Sequence, residues 1–121
     1  MRFLILIYIA NAIALLLHEI ESAHAEEWKI LKLPGRLPGF LIMHIPVIAV
    51  LLWGAVELGR GTRTGAIIAA VAGAGGLLPL FVHKILARRP GYFESPASNA
   101  LIFVNALAGA ATLAAAAAVY Y

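Results

Sequence analysis

The chain has 121 residues, 63% of them hydrophobic and only 12% charged, which excludes a soluble globular domain, where about a quarter of residues carry charge. One domain, residues 1–121, is all the length allows, and a formal net charge of +3 concentrated at helix ends reports topology rather than nucleic-acid binding. With no cysteine, the chain has no disulfide, no thiol catalysis and no thiolate metal site.

Crossing a hydrocarbon core about 30 Å thick takes roughly 20 apolar residues of helix. Four windows satisfy this and predict helices over about residues 3–27, 38–58, 64–88 and 97–119. Pro-Gly steps punctuate Leu33–Gly39, Gly59–Arg63 separates the second helix from the third, and Arg88–Gly91 with Ser95-Pro96 separates the third from the fourth. Such short connections favour antiparallel neighbours. The predicted fold is therefore all-α, an integral membrane up-down bundle of four transmembrane helices. The first segment also has a signal-peptide outline, ending in Ala23-His-Ala25. His18, Glu19 and Glu21 are a heavy polar load for a cleavage region, so the segment is expected to stay as a helix.

Lys29, Lys32 and Arg36 lie in the first loop, and Lys84, Arg88 and Arg89 lie at the third; Arg2, Arg60 and Arg63 lie on the other side. This bias predicts loops one and three in the cytoplasm and both termini outside, in the inner membrane of a bacterium or archaeon. Trp28, Tyr8, Tyr92, Tyr120 and Tyr121 read as interface aromatics.

Ionisable groups are costly inside a membrane and usually face a bundle interior or a water-filled cavity. On a rise of 1.5 Å per residue, His18 lies roughly 13 Å before Glu27 and His44 about 9 Å past Pro38. On the same rise, His83 lies about 7 Å before Arg88 and Asn105 about 13 Å past Pro96. All four fall in the half of the bundle nearest loops one and three. Helical periodicity puts Asn11, His18, Ser22 and Ala25 on one stripe of the first helix, with Glu21 on its shoulder and Glu27 opposite. The stripe through His83 is Gly65, Ala69, Ala72, Gly76 and Pro79; the stripe through Asn105 is Ser98, Gly109, Thr112 and Ala116. Small residues on these faces let helices approach closely. His18, Glu21, His44, His83 and Asn105 are expected to face inward together.

Other polar residues have plainer roles. Glu26, Glu27, Lys29 and Lys32 read as a solvated helix end, although Glu27 can fold back over the site. Glu19 reads either as a headgroup-level charge or as a partner of the ligands. His24 reads as interfacial, and Glu57 as an interface residue paired with Arg60 or Arg63. Asn11 and Asn105 read as interhelical hydrogen bonders.

Neutral imidazoles with a carboxylate suit a divalent metal such as zinc or iron rather than copper(I) or an iron–sulfur cluster. The predicted ligands are His18, Glu21, His44 and His83. Glu21, Glu19 and Glu27 are the candidate acid–base groups, and Ser22, His24, Asn11 and Asn105 are expected to support the ligands. A metal with one position left to water generates hydroxide near neutral pH, able to attack a lipid ester, amide or phosphate. Without a metal, His18 and Glu21 form an i, i+3 pair able to relay protons.

His18-x-x-Glu21 after an apolar run, followed by Glu27-Trp28 and the turn Leu33–Gly35, resembles small bacterial membrane proteins of the HXXEE type and related uncharacterised families. The resemblance covers the first helix and turn and departs at Ser22, where a second Glu would stand. It implies a multi-helix membrane protein with a His/Glu motif and brings no reaction with it. Two functions are therefore expected. The first is a metal-dependent membrane enzyme acting on a lipid or lipophilic small molecule. The alternative is a proton-coupled transporter or an accessory subunit of a membrane complex. Membrane lipids are the expected partners, with self-association or a larger membrane complex open as assemblies.

Overall fold

A computed structural model describes residues 2–86 and 93–120. The elements are α1 (Arg2–His24), the single turn α2 (Glu27–Ile30), α3 (Arg36–Gly59), α4 (Arg63–Phe81) continued by a π-helical turn at Val82–Leu86, and α5 (Pro96–Tyr120). Arg88, Arg89, Gly91 and Tyr92 of the third connection, with Tyr121, lie outside the described residues. Four helices are long and apolar enough to cross a membrane, and together they form an all-α four-helix bundle.

Local chemistry sets the boundaries. Thr62 caps α4: its hydroxyl accepts from Gly65 N at 3.1 Å and donates to Glu57 Oε2 at 2.7 Å. Glu57 also pairs with Arg60 at 3.0 Å, so it belongs to this turn. Ser95 caps α5 by accepting from Ser98 N at 3.1 Å, and Pro96 follows at the first helical position, where its missing N–H costs nothing. The first helix is shorter than its apolar pattern suggests. It ends at His24, Glu26 takes a left-handed conformation at φ 53°, and the chain restarts as α2. The third helix keeps α geometry only to Phe81. Pro79 inside it has no N–H to give to the preceding turn, and the following turn widens to π.

Helix α4 is central, packing most extensively on α5 and also on α3 and α1; α1 in turn meets α5 and α3. The buried positions of α4 include Gly65, Ala69, Ala72, Gly76 and Pro79, and those of the partner helices include Asn11, His18, Ser22, Ser98, Asn105, Gly109, Thr112 and Ala116. These are the small-residue and polar stripes of the sequence. At the α4–α5 contact the backbones touch: a Cβ added to Gly109 would stand 2.5 Å from the Gly73 carbonyl oxygen. Polar groups inside the bundle bond to nearby backbone. Tyr8 donates to the Leu51 carbonyl at 2.6 Å, Asn11 to Ala72 at 2.8 Å and Thr112 to Ala108 at 2.7 Å. Isoleucines, leucines and valines elsewhere face outward, as Leu6, Ile42, Val71 and Leu107 do, which suits a lipid-contacting surface.

Two outcomes follow. Single cysteines at Gly35 and Gly61, introduced into a chain that has none, should label from opposite sides of the membrane; labelling from the same side would contradict an up-down bundle. Gly109→Ala places a methyl against backbone that cannot rotate away, so α4 and α5 must separate. It should cost about 1–3 kcal/mol in a denaturant titration in detergent, the range for overpacking a close contact.

Candidate metal centre

The C-terminal ends of α1 and α4 and the N-terminal ends of α3 and α5 meet at one end of the bundle, and the buried ionisable groups gather there. His18 is 2% exposed, His83 4% and Glu27 7%. One ligand atom from each lies within 4.8 Å of the others. The two imidazole centroids are 5.1 Å apart. His83 Nε2 stands 3.0 Å from Glu27 Oε1, which pairs the imidazole with the carboxylate.

Glu27 reaches this position because of the break in α1. On a continuous helix it would point away from His18, as periodicity predicts. The left-handed turn at Glu26, with the exposed Lys29–Glu26 ion pair beside it, swings the chain back over the helix end. The π turn presents His83 from the other side; such turns are frequent at functional sites. Burial pushes the Glu27 carboxyl up, but the His83 imidazole and the Ser22 hydroxyl against it outweigh burial and hold it below the usual carboxylate range. Glu27 is thus a carboxylate facing two imidazoles.

Ser22 connects the group. Its oxygen lies 3.3 Å from His18 Nε2, and its single proton is claimed by the Glu27 carboxylate, which can only accept. Ser22 therefore accepts from His18 Nε2–H. That tautomer leaves the lone pair on His18 Nδ1, a buried atom without a partner. A hydrogen bond on one ring nitrogen and a free lone pair on the other is the state in which imidazole binds metal.

His44 and Glu19 make a separate pair beside this group. His44 Nδ1–H donates to the Phe40 carbonyl at 2.6 Å, and Nε2 meets Glu19 Oε2 at 2.6 Å. Because the carbonyl fixes the Nδ1 proton, a further proton must be shared between Nε2 and the carboxyl oxygen. The pair is partly open, at 19% exposure for His44 and 28% for Glu19.

Of the four predicted ligands, the structure brings His18 and His83 together. Both nitrogens of His44 are engaged elsewhere, and Glu21 accepts from Ser98 Oγ at 2.6 Å instead of joining the imidazoles. Glu27, among the candidate acid–base groups, is the carboxylate that stands with them. Ser22 stands against His18, His24 is exposed, and Asn11 lies two turns below His18 in the bundle with its amide on Ala72. Asn105 is fully buried on α5, a turn or more below Ser98.

Two neighbours carried no signal in the sequence. Phe93 stacks on His83 with centroids 3.9 Å apart and stands 5.5 Å from His18, and Lys84 Nζ donates to the Phe93 carbonyl at 2.9 Å. Nothing in the spacing of Gly91-Tyr-Phe-Glu94 marks Phe93 as special; its role depends on a backbone φ of 54°.

No curated protein and no solved structure matches the chain. A family model does match, along residues 4–119, and with nearly the whole sequence covered the protein belongs to the family of unknown function DUF6713.

Proposed function

We propose that this protein is a metal-dependent membrane enzyme whose centre is His18, Glu27 and His83, acting on a lipid or lipophilic small molecule. One observation carries the proposal: three buried groups of metal-binding type converge within 4.8 Å, and His18 Nδ1 among them is buried without a hydrogen-bond partner. Two imidazoles and a carboxylate form a three-ligand set typical of catalytic zinc sites, which leave a fourth position to water or substrate. Bonds of about 2.0–2.2 Å at tetrahedral angles put ligand atoms about 3.4 Å apart. Small side-chain rotations would close the present spacing to that value. Zinc or iron is the expected ion, since both accept imidazole and carboxylate. Such an ion polarises an ester, amide or phosphate oxygen and activates water near neutral pH. The Glu19–His44 pair, holding a proton beside the centre, is suited to exchange it with a reacting group.

The position of the centre favours substrates that enter from the membrane. His18 and His83 lie in the last two turns of their apolar spans, which favours a substrate whose reacting group sits near headgroup level, such as a lipid ester or phosphate. The lysines and arginines of the first loop support a cytoplasmic position for that end. The likeness of the first helix to HXXEE-type proteins supports a role for His18, although in this chain Glu27 rather than Glu21 completes the proposed ligand set. The shared Glu19–His44 proton also favours a second reading, a proton relay in a transporter or an accessory subunit.

Elemental analysis of protein purified without added chelator separates the two. The metal centre predicts one equivalent of zinc or iron per chain; a relay predicts none. His83→Ala and Glu27→Gln should each lower metal occupancy by at least tenfold while the bundle stays folded, because the α4–α5 glycine contact is elsewhere. Full occupancy in His83→Ala, with lower thermal stability, would return His83 to a packing role worth about 0.6–2 kcal/mol.

A further inference from the structure

Among the described residues, the Phe93 ring lies against both imidazoles, and its backbone adopts a conformation that side chains avoid. Its φ is 54°, uncommon for any residue but glycine and strained for one of this size. Such strain persists only where the surroundings impose it. Here three contacts do so. The ring lies nearly parallel to His83 at an interplanar angle of 27° and a centroid distance of 3.9 Å. The same ring is tilted 39° to His18 at 5.5 Å. The carbonyl of Phe93 is tied to Lys84 Nζ at 2.9 Å, and Lys84 directly follows His83 on the π turn. The side chain is 5% exposed, and Ile30 and fully buried Ile102 complete the packing around it.

We propose that Phe93 is the positioning residue of the metal centre, an aromatic clamp that fixes the orientation of both imidazoles and keeps the site dry. This rests on the proposed His18, Glu27 and His83 centre. An imidazole on a π turn can swing about its side-chain torsions, and two ligands from different helices bind one ion only if both swings are arrested. A ring stacked on one and seated against the other arrests them together. The Lys84–carbonyl bond couples the clamp to the ligand-bearing turn, so that His83 and Phe93 move as a unit. Closing the site with a hydrocarbon face also lowers the local dielectric, which strengthens the attraction between a cation and the Glu27 carboxylate.

Cobalt(II) titration of the purified full chain tests this, with visible absorption reporting coordination geometry. The wild type should bind one cobalt with the intense bands of a four-coordinate site. Phe93→Leu keeps an apolar side chain but loses the ring face; it should weaken cobalt affinity by about 10–100-fold, as loss of an outer contact to metal ligands does, and change the band pattern. Phe93→Tyr restores a ring and should recover most of the affinity. Ile102→Ala removes packing from the same cluster but keeps the ring over the imidazoles; it should lower thermal stability and leave the spectrum unchanged. A Phe93→Leu protein with wild-type affinity and spectrum would overturn the clamp while leaving the metal centre intact. A wild type that binds no cobalt, zinc or iron would overturn the centre and the clamp with it. Should Phe93→Leu fail to fold, Lys84→Met decides: it leaves the ring but cuts its tether, and an unchanged spectrum would overturn the coupling of Phe93 to His83.

Discussion

A carboxylate held against two imidazoles at the end of an apolar bundle must be compensated, because an isolated charge removed from water costs far more than a small bundle can absorb. That requirement organises this end of the molecule. Glu27 is matched by His83 at 3.0 Å and by the Ser22 hydroxyl, and Ser22 in turn fixes the tautomer of His18. His18 Nδ1 remains buried without a hydrogen-bond partner, as does Trp28 Nε1 on α2. Buried polar atoms without partners are rare in folded proteins, and each calls for a physical explanation. A cation between the imidazoles would take up the free lone pair of His18 Nδ1 and balance the Glu27 carboxylate.

Helix packing delivers these groups with little freedom. Without a hydrophobic drive between helices in lipid, close backbone approach must come from small side chains. The contact through Gly73, Gly76 and Gly109 brings α4 against α5 closely enough that added methyls would strike backbone. It also fixes the register of His83 and Ser98 relative to each other, since both lie on those helices. The irregular elements then supply what straight helices cannot. A π turn presents His83, and left-handed residues at Glu26 and Phe93 turn the chain so that a carboxylate and an aromatic ring close over the imidazoles. Two of the left-handed residues, Glu26 and Phe93, thus shape the place where the polar groups converge.

Much of this was legible in the residues themselves. Apolar length gave the four helices, and 3.6-residue periodicity gave the buried faces of α1, α4 and α5, down to Asn11, His18, Ser22, Asn105 and Thr112. Depth along each helix places His18, His44 and His83 at one end of the bundle. It did not resolve which of them share a centre, because that depends on side-chain partners a few ångströms apart. His44 pairs with Glu19, and Glu21 is drawn to Ser98, a residue 77 positions away in sequence. The position of Glu27 was illegible for a different reason. Periodicity assumes a continuous helix, and nothing in Ala25-Glu-Glu27 announces a left-handed break, a conformation usually signalled by glycine or asparagine. Phe93 was hidden in the same way.

The central claim is that two imidazoles and one carboxylate, not three imidazoles, surround a metal ion. Zinc-edge X-ray absorption on the zinc-loaded protein measures this directly, because the outer-shell scattering of imidazole rings can be counted. The account predicts first-shell nitrogen and oxygen neighbours at about 2.0–2.1 Å with scattering from two imidazoles. Scattering from three imidazoles would draw His44 away from Glu19 and into the centre, and so contradict the arrangement of ligands described above.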